Sequence, residues 1–86
     1  MARIDMTGTA GADGRSSGEQ FFQLGLNCVS GAAGEANLVE AHKWFNLAAM
    51  RGYDEAAALR QEIAREMSRQ AIAEAQRAAR DFLATH

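Results

Sequence analysis

The stretch Asn37-Leu-Val-Glu-Ala-His-Lys-Trp-Phe-Asn-Leu-Ala-Ala-Met-Arg-Gly52 constrains this chain most, because it writes both ends of one helix. Asn37 offers a side-chain oxygen to the free backbone N–H groups of a first turn, and Glu40 completes the capping-box spacing. Gly52 follows Arg51 where a left-handed residue ends a helix. Leu38, Ala41, Trp44, Phe45, Ala48 and Ala49 fall within one broad arc, which must be buried. Small Ala residues among large rings let a second helix approach closely. Trp44, the only Trp, is expected at the centre of the core, against the preceding helix near Gly25 and Ala41. Val39, Leu47 and Met50 fall on the other side, among Glu40, Lys43 and Asn46. A helix apolar on two sides has two neighbours.

The flanking segments carry the same period. A first helix is predicted from about Gly18 to Ser30, capped by Ser16 with Glu19 or by Ser17 with Gln20. Phe21, Leu24, Gly25 and Cys28 form one stripe on it, and Phe22, Leu26 and Val29 a second; Gln20, Gln23, Asn27 and Ser30 are its polar face. Gly25 inside a helix costs about 0.5–1 kcal/mol relative to Ala, which close approach by the next helix would offset. The plainer alternative is a tolerated glycine with no packing role. The loop from Gly31 to Ala36 is short enough to make the first two helices antiparallel neighbours. Asp54 is expected to cap a third helix with Ala56, Leu59, Ile63 and Met67 inward. Ser68 is expected to cap a fourth with Ile72, Ala75, Ala79, Phe82 and Leu83 inward, closing the face left open by the third. There is no Pro, and no segment alternates with period two. The reading is all-α, with antiparallel hairpins and about four helices. Residues 1–17, rich in Gly, Ala and Thr, read as a flexible tail ahead of a single helical domain over 18–86.

Leu24-Gly25, then Gly31, Asn37, Ala41, Trp44, Ala48-Ala49, Gly52 and Ala56 stand in one register. In that register, roughly residues 19–56 resemble a Sel-one-like repeat, a relative of the tetratricopeptide repeat found in bacteria and eukaryotes. The resemblance implies that 18–52 is one complete repeat of a small bacterial member. It makes 53–86 a diverged helix pair acting as C-terminal cap. Cys28 departs from the pattern, standing where the family usually has Tyr, and after Ala56 the pattern fades: Arg60 and Gln61 fall where Leu-Gly would recur. What the resemblance implies about function is a non-enzymatic protein-interaction module, an adaptor or scaffold.

Composition narrows the function classes. The chain has 86 residues, 48% hydrophobic and 23% charged, with net charge −2. That balance suits one small domain without general attraction to nucleic acid or anionic membrane. No apolar run approaches the roughly 20 residues a spanning helix needs, and the first residues lack the apolar core of a signal peptide. A cytoplasmic location is expected. The single Cys28 forms no internal disulfide and reads as a small core hydrophobe. His42 lies at the edge of the buried arc, and no second His or Cys stands at metal-ligand spacing. Glu40, His42 and Lys43 do not share a face, so no acid–base constellation is written. No catalytic, metal or cofactor residue, no cofactor and no small-molecule substrate are therefore expected. Arg60, Arg65, Arg69, Arg77 and Arg80 interleave with Glu62, Glu66, Glu74 and Asp81, the pattern of a solvated face. The alternative reading uses those arginines in a nucleic-acid-associated regulator.

The partner expected is another protein or a second copy of the chain. Phe22, Leu26 and Val29 point partly away from the second helix. Either the third or fourth helix covers them, or they form an exposed interaction surface with Val39 and Met50.

Overall fold

The computed structural model describes residues 16–32 and 34–86. Four helices follow one another: α1 (Ser17–Ser30), α2 (Leu38–Met50), α3 (Asp54–Ala64) and α4 (Arg69–Thr85). Among the described residues there is no strand, and the fold they form is all-α. Of the expected tail, residues 1–15 lie outside the described residues, whereas Ser16 and Ser17 are the cap and first residue of α1.

Short polar side chains start three of the helices. Ser16 Oγ accepts the Glu19 N–H at 3.1 Å, Asn37 Oδ1 the Glu40 N–H at 3.0 Å, and Ser68 Oγ the Ala71 N–H at 3.0 Å. Each satisfies a donor that the first turn leaves free, worth about 1 kcal/mol. The second arm of the capping box at Asn37 is diverted. Glu40 pairs with Lys43 Nζ at 3.1 Å, and the Asn37 N–H donates to the Cys28 carbonyl at 2.9 Å. That bond ties the end of α1 to the start of α2 and fixes their antiparallel course.

α3 starts differently from the expectation. Asp54 is not its cap; Tyr53 takes that position without a side-chain bond, and Asp54 is already helical. The cause lies at the end of α2. Gly52, at φ 89°, donates to the Ala49 carbonyl, and Tyr53 donates to the Ala48 carbonyl at 3.1 Å. This is the paired bonding of a glycine-terminated helix, and the chain leaves it with Tyr53 extended. Asp54 and Glu55 then put negative charge on the first turn of α3, where the helix dipole favours it. α3 also stops at Ala64. Arg65, Glu66 and Met67 donate to the carbonyls of Glu62, Ile63 and Ala64 in tight three-residue steps, so Met67 leaves the stripe assigned to it.

α2 is the hub of the molecule, packed against α1, α3 and α4. Its buried Ala41, Phe45 and Ala48 form one cluster with Ala56 of α3. Phe21, Phe22, Leu26, Cys28, Tyr53, Leu59 and Ile63 pack around it. α4 docks on α2 through a face where Ala75 and Ala79 are buried. That corrects the expectation that α4 closes the open face of α3. Leu47, on the side of α2 away from the Ala41–Phe45–Ala48 cluster, is fully buried.

The ring at the heart of the α1–α2 seam is Phe45, not Trp44. A Cβ added at Gly25 would stand 2.5 Å from Phe45 Cδ1 and 3.1 Å from its Cζ. Trp44 remains half-buried. Neighbouring residues point about 100° apart on a helix, so only one of the two can enter the gap that Gly25 opens. Gly18, seven residues earlier, is buried too; a Cβ there would meet Arg51 Cβ and Tyr53 Cβ at 3.3 Å. Both glycines bring α1 close to α2.

Candidate functional site

The rings that the seam leaves outside gather at one junction. Phe21 of α1, Trp44 of α2 and Phe82 of α4 touch one another pairwise. Phe21 stacks on Trp44 at 5.6 Å between centroids, Phe82 meets Phe21 edge-on at 5.7 Å, and Phe82 meets Trp44 edge-on at 5.4 Å. All three keep part of their surface in solvent. Three helices contribute one ring each, so the junction exists only when α1, α2 and α4 are docked. Its geometry is the offset and edge-to-face packing that aromatic quadrupoles favour.

A cation is built into the junction. Lys43 Nζ stands 4.1 Å from the Trp44 ring centroid and 5.9 Å from that of Phe82, and pairs with Glu40 at 3.1 Å. Its side chain is only 14% exposed, so the ammonium has exchanged much of its water for ring faces and a carboxylate. Arg51 lies 5.9 Å from the Phe21 centroid. At the C-terminal end, His86 stacks on Phe82 at 4.2 Å.

Cys28 shows how this site is poised chemically. Burial raises the pKa of its thiol, the Glu40 carboxylate adds to that rise, and Lys43 opposes it. The thiol is held in its protonated, weakly nucleophilic form. Among the described residues no group of three His, Cys, Asp or Glu could hold a metal ion, and no pocket is present. No helix there is long and apolar enough to cross a membrane.

The surface expected from sequence divides. Phe22 and Leu26 pack against the core: Phe22 lies 5.7 Å from the Phe45 ring and 4.7 Å from that of Tyr53. Tyr53, at the α2–α3 turn, supplies the cover. Val39 is half-buried, and Val29 and Met50 are exposed. Of the repeat-defining positions, Gly25, Ala41, Ala48 and Ala56 are buried, Gly31, Trp44 and Ala49 are half-buried, and Gly52 is exposed. Leu24 departs from its assignment to the core at 40% exposed. It sits about 100° round α1 from Gly25, beyond the edge of the face that meets α2. It lies one turn after Phe21 on the same side of α1.

His42 is more deeply placed than the edge of the arc: it is buried, and its Nδ1 has no hydrogen-bond partner. No sequence pattern marks the aromatic junction as a unit. Its sequence traces are Glu40 and Lys43 at i,i+3 beside the Trp, and Phe82 on the α4 stripe, but nothing local brings them together. No protein-family model, curated protein or solved structure matches this chain.

Proposed function

We propose that this chain is a non-enzymatic protein-interaction module, an adaptor or scaffold, whose binding surface is the aromatic junction with Leu24 at its rim. The observation that carries the reading is the meeting of three part-exposed rings from three helices, with the exposed Leu24 one helical turn after Phe21 on α1. Aromatic rings with water on one side and a rigid scaffold on the other are the usual anchors of protein interfaces. The ring faces that Lys43 covers leave the ring edges and Leu24 to a partner's apolar side chain. The protonated Cys28 and the pairing of Lys43 with Glu40 supply no activated nucleophile, in keeping with a binding role.

The likeness to a Sel-one-like repeat supports the same reading. α1 and α2 form an antiparallel hairpin with glycines at the close approach, and α3 and α4 extend it from α2. The second reading, a nucleic-acid-associated regulator, would use Arg65, Arg69, Arg77 and Arg80, all exposed. Glu62, Glu66, Glu74 and Asp81 are exposed among them and oppose binding to phosphate. Affinity purification with wild type and Leu24→Glu, both checked for an unchanged thermal melt, tests the proposal beside a nucleic-acid titration at several salt concentrations. The proposal expects a partner held by wild type and lost by Leu24→Glu. Tight, steeply salt-dependent nucleic-acid binding would overturn it.

A further inference from the structure

His42 stands on α2 with 3% of its surface exposed, and its buried Nδ1 meets no acceptor and no donor. One turn further along α2, Asn46 Oδ1 accepts from Arg60 Nη1 of α3 at 2.7 Å. That bond is a polar clasp between α2 and α3, and the Arg60 charge acts on the imidazole. A neutral imidazole can leave one ring nitrogen unprotonated. A second proton makes both nitrogens N–H donors. At Nδ1 that donor would be buried without a partner, in the field of the Arg60 guanidinium, which carries the same charge.

We infer that His42 is a proton-sensitive latch in the α2–α3 seam: acidification loosens α3 from α2 by charging a buried imidazole whose Nδ1 has no hydrogen-bond partner, one turn from the Asn46–Arg60 clasp. No charged side chain one turn away on α2 counters this. Its neighbours one turn away on α2 are Leu38, Val39, Phe45 and Asn46, none of them ionisable. From α3 the facing charge is Arg60, while Asp54, Glu55 and Glu62 are exposed. α1 brings Cys28, whose charged neighbours are Glu40 and Lys43, and an exposed Glu19. On α4, Arg69, Glu74, Arg77, Arg80 and Asp81 are all exposed. Burial and Arg60 both lower the imidazole's pKa, its own backbone partly offsetting them. The sign follows. A group whose folded pKa lies below its unfolded value of about 6.5 contributes stability that is fully present above that pH and lost as pH falls. Loosening α3 would uncover Ala56 and the Ala48–Phe45 side of the core.

The test uses the whole chain with His86→Gln, which leaves His42 as the sole imidazole. An NMR titration of its ring carbons is run beside urea unfolding at pH 5 to 8. The inference expects a midpoint below about 6.5 in the folded chain; each unit of depression is a tenfold difference in proton affinity. It also expects the urea midpoint to fall with pH more steeply than in His42→Leu. Should His42→Leu fail to fold, Arg60→Met serves instead: removing the guanidinium should raise the imidazole midpoint. A midpoint at or above 6.5, or pH dependences identical in wild type and His42→Leu, or no response to Arg60→Met, would overturn it.

Discussion

The Phe45 ring of α2 occupies the space that a Cβ on Gly25 of α1 would need. Gly25→Leu should therefore destabilise the chain by about 1–3 kcal/mol through overpacking, although Leu is the better helix former by nearly 1 kcal/mol. Thermal melting decides the sign, and a variant melting above wild type would show that α1 can slide off the ring. The double variant Gly25→Ala with Phe45→Leu should recover part of the loss of Gly25→Ala alone, because the two residues share one gap.

Phe45 and Trp44 make unequal contributions. Phe45→Ala empties the centre of the core and should cost about 3–5 kcal/mol, enough to unfold a domain this small. Trp44→Ala should cost less, about 2 kcal/mol, because its ring keeps one side in water. Urea unfolding of the two variants checks the order; a larger loss at Trp44 would restore it to the centre of the core.

What was legible in the sequence, and what was not, divides along the range of the interactions. The caps at Asn37 and Ser68 and the glycine end at Gly52 are local bonds, settled within a few residues, and the sequence states them; at the start of α1 it leaves Ser16 and Ser17 open, and Ser16 is the cap. The choice between Trp44 and Phe45 is not local. Both lie in the buried arc, and only the position of Gly25 across the seam decides which ring enters. Asp54 lost its cap because Gly52 and Tyr53 had already committed their N–H groups to α2. The docking of α4 on α2, and with it the junction of Phe21, Trp44 and Phe82, depends on contacts far apart in the chain, which no helical period encodes.

α4 should be part of the cooperative unit. Deleting residues 68–86 removes Ala75, Ala79 and Phe82, and strips from α2 the cover that α4 gives it. The truncated chain should aggregate or lose its cooperative melt. A monomeric truncation with a sharp transition, seen by sedimentation and circular dichroism, would mean that α4 is an accessory arm.

Cys28 should react slowly. Its raised pKa leaves little thiolate at neutral pH, so alkylation by iodoacetamide at pH 7.5 should run well below the rate of the same chain in urea, and should climb as pH rises. Equal rates folded and unfolded would place the thiol in solvent.

The central claim is that a partner seats beside Phe21, Trp44 and Phe82. Site-specific photo-crosslinking tests it most directly: a benzophenone side chain replaces Leu24 in one version and the exposed Glu62 of α3 in another. Both are irradiated in cells and resolved by mass. The account predicts a discrete protein adduct from position 24 and none from position 62. The same adduct from both positions, or one from position 62 alone, would contradict it.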